Sequence, residues 1–144
     1  MSVLVVLEHR GGKWNRMSFE ALEAARKIAQ ALGAPVQAVT LGLGSDERAK
    51  EAAAYDVSKI FTLDHALLAH YTQEAYTSAL EQLIKREQPK LVIFPHTYQV
   101  RDYAPRLATR FGQALISDVI DLRADASDIT FVRQLFQGLS LIHI

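Results

Sequence analysis

Four short stretches hold residue types that can do chemistry. The first is His9-Arg10-Gly11-Gly12-Lys13-Trp14-Asn15-Arg16, where His9, Arg10, Lys13 and Arg16 could bind an anion. It contains Gly-Gly-Lys but not G-x-x-x-x-G-K-[ST], and no G-x-G-x-x-G follows the apolar run before it. Nothing there specifies a nucleotide phosphate. A solvated polar loop is the simpler reading, with Trp14 as a contact point. The second stretch is Gly42-Leu43-Gly44-Ser45, where bare backbone N–H groups ahead of a helix could hold a phosphate. Gly-x-Gly alone is a weak signal, and a plain turn is the simpler reading. The third, His96-Thr97-Tyr98-Gln99-Val100-Arg101-Asp102, offers hydroxyls, a His and an Arg just before a helix. It has no glycine to let a phosphate reach the backbone, so a structural or interface role fits it better. The fourth is Ser117-Asp118, polar residues set near the centre of an apolar run. Local capping at a bend explains them. Asp118 and Asp121 would lie on opposite faces of such a strand and cannot form a carboxylate dyad.

Other chemistries find less support. The five histidines are scattered, His65 and His70 stand five apart, and H-E-x-x-H is absent, so no metal site is expected. Zero cysteines remove thiolate ligands, thiol nucleophiles and disulfides. No G-x-S-x-G and no local Ser/His/acid signature occurs. The sequence thus predicts no catalytic residue.

The composition narrows the partners. Sixteen Lys+Arg against sixteen Asp+Glu leave no net charge, where a nucleic-acid module shows a basic surplus. The Arg-rich stretch from Arg101 to Arg133 is neutral as well, its arginines matched by aspartates. No apolar run approaches the roughly 20 residues that span a bilayer, and the N-terminus shows no secretory signal. At 144 residues, 49% hydrophobic and 22% charged, the chain reads as one soluble, cytoplasmic globular domain.

The elements that must position these residues alternate. Val3-Leu4-Val5-Val6-Leu7 is continuously apolar, as a strand covered on both faces should be. Ser18 is placed to cap a helix with Phe19, Leu22, Ala25, Ala29 and Leu32 on one face and Gly33 as its terminator. Strands follow at Val36 to Leu41 and Lys59 to Leu63, separated by a short helix from Ser45-Asp46-Glu47. A helix from about Thr72 to Glu87 turns Tyr76, Leu80, Leu83 and Ile84 inward and ends before Pro89. Lys90 to Phe94 is the next strand. Asp102 is placed to cap a helix with Pro105 in its first turn and Leu107 and Phe111 facing inward. Leu115 to Leu122 and Ile129 to Phe136 read as two strands joined too closely for a helix, hence a C-terminal antiparallel hairpin or edge strand. The order predicts an α/β fold with a mainly parallel, doubly wound sheet and helices on both faces.

The order of local pieces is more specific than any one of them. Leu4-Val5-Val6-Leu7-Glu8-His9, then Arg101-Asp102-Tyr103-Ala104-Pro105-Arg106-Leu107-Ala108, then Leu115-Ile116-Ser117-Asp118-Val119, then Phe131-Val132-Arg133 with Gly138 five residues on, together resemble the N-terminal domain of the electron transfer flavoprotein alpha subunit. The resemblance covers about residues 3–138. It implies an adenine-nucleotide-hydrolase-like (Rossmann-like) domain that is scaffold and beta-subunit interface in a heterodimer. It implies FAD held by a separate C-terminal domain of the full-length alpha chain, with no FAD site in these residues. It also implies electron transport from flavin dehydrogenases, such as the acyl-CoA dehydrogenases of fatty acid beta-oxidation, to a quinone reductase or other acceptor. The chain would then be an electron-carrier part and no enzyme by itself. Arg101, Arg106, Asp118 and Arg133 are the residues expected to form inter-domain or inter-subunit salt bridges at an interface, because the arginine fork pairs bidentately with carboxylates. Val100 stands where a glycine would precede the Arg-Asp pair. Residues 1–138 are thus expected to form the alpha N-terminal domain, and 139–144 a truncated or non-native tail leaving an exposed apolar edge. The competing reading is a stand-alone nucleotide-binding domain of the universal-stress-protein type, which would need a glycine-rich loop after the fourth strand.

Overall fold

The computed structural model describes residues 1–44, 46–126, 128–135 and 138–143, with side chains for 1–44, 47–126 and 128–132. The strands are β1 (Val3–Leu7), β2 (His9–Arg10), β3 (Lys13–Trp14), β4 (Val36–Gly42), β5 (Lys59–Asp64), β6 (Leu91–Ile93), β7 (Val119–Ala124), β8 (Ile129–Leu135) and β9 (Gly138–His143). The helices are α1 (Arg16–Leu32), α2 (Asp46–Ala52), α3 (Gln73–Glu87) and α4 (Tyr98–Arg110), with a single 3-10 turn at Ala66–Leu68.

The central sheet is parallel with order β5-β4-β1-β6. Every residue of β1 is buried. Side chains alternate along a strand, so β1 feeds two cores. Val3, Val5 and Leu7 pack with Leu22, Ala25 and Ile28 of α1 on one face. Leu4 and Val6 pack with Leu80 and Leu83 of α3 and Tyr103 and Leu107 of α4 on the other. This is the doubly wound arrangement expected from the alternating pattern. The chain leaves β1 through α1 towards β4 and later returns through α3 to β6 on the opposite side. The order therefore reverses between β1 and β6, the place where open α/β sheets bind ligands.

The C-terminal strands form a separate antiparallel sheet, β7-β8-β9. The expected hairpin is present as β7 and β8, and its Leu122, Ile129 and Phe131 extend the core beneath α1. Lys27 of α1 ties this sheet down by donating from Nζ to the Leu122 carbonyl at 3.1 Å. The tail set apart at 139–144 supplies β9 through His143, with Val132 opposite Leu141.

Several boundaries differ from expectation. Asn15, not Ser18, caps α1, its Oδ1 accepting from the Met17 N–H at 2.9 Å. Thr97, not Asp102, caps α4, so Pro105 falls inside the helix rather than in its first turn. Phe19 is 36% exposed rather than turned into the core. Ser117 and Asp118 precede β7 instead of sitting in a strand centre, because Asp118 adopts φ +56°, which breaks the extended backbone. Finally, the loop from His9 to Asn15 contains the short hairpin β2-β3. Gly11 (φ +57°) and Gly12 (φ +77°) make its turn, a conformation only glycine adopts freely at both positions.

Candidate functional site at the strand ends

The loops after β1 and β6 meet at the reversal point, and Glu8 occupies it. Its Oε1 accepts from Thr97 Oγ1 at 2.7 Å and its Oε2 from Asn15 Nδ2 at 3.1 Å. Asn15 and Thr97 are the N-caps of α1 and α4, so the carboxylate lies between two helix N-termini, where the dipoles favour an anion. The Glu8 backbone is held too. Its N–H donates to Ser18 Oγ at 2.7 Å, and Ser18 Oγ donates back to the Glu8 carbonyl at 3.0 Å. Ser18 is buried by this exchange instead of capping α1.

Beneath Glu8 lies a cavity of about 10 Å³ lined by His9, Leu41, Tyr76, Gln99 and Tyr103. Such a space is at the limit for a single water molecule. Burial, and next the nearby Glu8 charge, push the Tyr76 and Tyr103 phenols above their ordinary range. Tyr71 is raised as well, by burial and then by its hydrogen bond to the Asp102 carboxylate. The rings of Tyr71, Tyr76, Tyr103 and Phe94 pack edge-on and tilted into one floor.

The glycine loop before α2 is filled in the same manner. The Gly44 N–H donates to both carboxylate oxygens of Asp64, each at 3.2 Å. Gly42 is required there, since a Cβ would stand 3.3 Å from His9 Cε1 at φ +154°. Each of the two places where a phosphate could have docked thus holds a carboxylate of the chain itself. These residues do not fit the phosphates of an adenine dinucleotide, which need donors and cations at such positions. Among the described residues no three His, Cys, Asp or Glu side chains gather to hold a metal ion. No helix among them is long and apolar enough to cross a membrane.

The four residues expected at an interface lie on α4, before β7 and in β8. Arg101 and Arg106 are exposed on α4. Arg106 Nη1 donates to Gln73 Oε1 at 2.8 Å, and Gln73 Nε2 donates to the Asp102 carbonyl at 2.7 Å, joining α3 to α4. Asp118 faces His96 Nε2 at 3.5 Å, linking the loop after β6 to the start of β7. Arg133 lies in β8 opposite Ser140 of β9, and its side chain lies outside the described residues.

The hairpin is anchored at its base and bare at its tip. Trp14 Nε1 donates to Glu51 Oε2 at 2.6 Å, and Arg48 holds the other oxygen at 2.7 Å. His9 meets the Trp14 ring edge-on at 5.8 Å, and its buried Nε2 has no hydrogen-bond partner among the described residues. Burial, and then the Arg48 charge, hold the His9 imidazole below its ordinary pKa. The Gly-Gly dipeptide between two pairs of larger residues is the sequence signal for this hairpin. The pairing of Glu8 with Thr97 has no local signal, because the two stand 89 positions apart.

Comparison with known proteins bears on the whole chain. Residues 3–143 match the family model described as Electron transfer flavoprotein domain. The chain is 33% identical over 136 residues to the electron transfer flavoprotein subunit alpha of Bacillus subtilis (strain 168), covering 94% of this chain and 41% of that protein. It is 31% identical over 140 residues to the subunit of the same name from Syntrophomonas wolfei, covering 97% of this chain and 43% of that one. It is 30% identical over 138 residues to the lactate dehydrogenase (NAD(+),ferredoxin) subunit LctC of Acetobacterium woodii, covering 94% and 33%. The chain thus spans less than half the length of these relatives.

Proposed function

This chain belongs to the electron transfer flavoprotein family, and on that premise we propose that it acts as the front domain of an alpha subunit, the scaffold against which a beta subunit packs. Its role in electron transport is structural: it carries no catalytic residue of its own, and FAD is held by the rest of the alpha chain in the heterodimer. The flavin of that assembly takes electrons from flavin dehydrogenases and passes them to a quinone reductase or another acceptor in the cytoplasm. Arg101, Arg106, Asp118 and Arg133 contribute to the contacts with the beta subunit or with the flavin domain.

The observation that carries this reading is the Glu8 carboxylate at the sheet's reversal point, held by Thr97 and Asn15. A nucleotide-binding domain keeps that place open for phosphate. Here it is closed by an anion, which supports a scaffold over a universal-stress-type nucleotide binder.

The test is to purify the chain alone and together with a beta subunit encoded beside it. The chain alone should show no stoichiometric flavin absorbance and no micromolar AMP or ATP binding by calorimetry, and it should co-elute with the beta subunit. Micromolar nucleotide binding by the chain alone would favour the stress-protein reading. Stoichiometric yellow flavin on the chain alone would remove the assignment of FAD to a separate domain.

A further inference from the structure

Three cations cluster at the β2-β3 hairpin in places that cost the free domain stability. Arg10 and Lys13 stand directly opposite each other across the hairpin, and like charges opposed in this way repel. Arg16 is the first residue of α1, which carries no acidic residue in its first turn, so a cation meets the positive end of the helix dipole. All three are exposed, and none of their side chains makes an ion pair or hydrogen bond among the described residues. The nearby Glu51 is already engaged by Arg48 and Trp14. The chain has no net charge, so the cluster is no by-product of a basic composition. Beside it runs a strip of partly exposed rings, Trp14, Phe19 and Tyr55, with successive centroids 6.4 and 5.3 Å apart.

We propose that this hairpin, with Arg10, Lys13 and Arg16 as its charges and Trp14, Phe19 and Tyr55 as its apolar contact, is a docking surface for an acidic segment of a partner protein. Charge complementarity selects the partner. Each of the three unfavourable placements is relieved when carboxylates approach, so the repulsion stored in the free domain becomes attraction in the complex. Aromatic rings and arginines together are the residue types that anchor protein interfaces. The tip is open at Gly11, where a Cβ would meet nothing within 4 Å, while at Gly12 it would meet Arg48 Nη2 at 3.5 Å. Arg10 and Lys13 sit on an exposed two-stranded ribbon, which presents them to an extended segment rather than enclosing a small anion. The inference stands apart from the assignment of the flavin and of the beta subunit.

Trp14 is the single tryptophan of the chain, so its fluorescence reports on this surface directly. The probe is a short Asp/Glu-rich peptide carrying leucines, titrated into the 144-residue chain beside its Asn/Gln counterpart and inorganic phosphate. The acidic peptide should produce a saturable, salt-sensitive change in emission, and the other two should not. Arg10→Glu with Lys13→Glu should abolish that change, and Lys59→Glu with Lys90→Glu, at the opposite end of the sheet, should leave it intact. Lys13→Glu alone should weaken binding while raising Tm, because it converts a repelling pair into an attracting one. Equal loss in both charge-reversal pairs would show a merely diffuse attraction and overturn the proposal. So would an equal response to phosphate or to the neutral peptide, or a Lys13→Glu chain that binds undiminished.

Discussion

The two polar regions at the carboxyl end of the sheet differ in how their charges are met. At the reversal point the Glu8 carboxylate accepts from Thr97 and Asn15 and sits between two helix N-termini. A few residues on, at the hairpin, Arg10 faces Lys13 and Arg16 opens a helix without any counter-charge. One region is closed upon itself, and the other leaves its charges unmet. A half-buried polar group fully partnered inside the chain contributes to the fold. Exposed like charges set against each other detract from it. The difference assigns the first region to stability and the second to what lies outside the domain. The largest break of this contrast should come at Glu8. Glu8→Ala leaves Thr97 Oγ1 and Asn15 Nδ2 without their acceptor, at a cost of about 1–3 kcal/mol. Urea unfolding measures it. A stability unchanged from the parent would mean that the crevice is not held by its carboxylate.

Ser18 tests the same region from the backbone side. Its hydroxyl both accepts from the Glu8 N–H and donates to the Glu8 carbonyl while 1% exposed. Ser18→Ala should destabilise by about 1–2 kcal/mol, since a buried N–H loses its partner. Were Ser18 an ordinary N-cap, Ser18→Asn would preserve stability. In this buried site the longer Asn should fail to rescue, and thermal melts of the two variants distinguish the cases.

How the sequence announces these features follows from their range. The β1 run and the 3–4 spacing of α1 are local and strong, and both elements lie where the pattern places them. The caps are less legible. Ser18 and Asn15 are both good capping residues, and which one caps depends on Glu8 drawing Ser18 inward. Asp102 misleads because Pro105 suggests a first turn. The proline is instead tolerated on an exposed face of α4, where the Thr109 hydroxyl donates to the Pro105 carbonyl at 2.8 Å. Two-residue strands have no periodicity, so only Gly11-Gly12 could reveal the hairpin. The resemblance to the flavoprotein alpha family rests on the order of distant pieces and so reads through such local errors. Glu8 is part of that resemblance, but its partner Thr97 emerges only when β1 and β6 are side by side.

His9 lies between the two regions and gives a pH test of the boundary. Its folded pKa is lowered by burial and then by Arg48, against an ordinary value of 6.5, while the Leu41 backbone and then Glu51 of α2 pull it the other way. The unfolded chain therefore binds a proton that the folded chain refuses over the window just below pH 6.5. Stability is full above that value and declines as pH falls through the window. His9→Gln cannot titrate, so its urea midpoint should stay flatter across the same range, whatever its absolute level. Parallel slopes for the parent and His9→Gln would show that His9 is not the group responsible.

The smallest effect is the most telling for the hairpin. Replacing Lys13 by Glu puts opposite charges across from Arg10, where the parent has like ones. Cross-strand pairs of this kind change stability by about 0.2–1 kcal/mol, and here the sign should be a gain. A gain that fades with added salt requires that the native residue be electrostatically misplaced in the free domain. Salt provides the second half of the argument. Added salt screens the repulsion in the parent and the attraction in Lys13→Glu, so the difference in Tm between the two chains should shrink as ionic strength rises. A gain that persists at high salt would trace to the strand propensity of the new residue, and the contrast between a closed carboxylate and an unmet cation pair would lose its electrostatic basis.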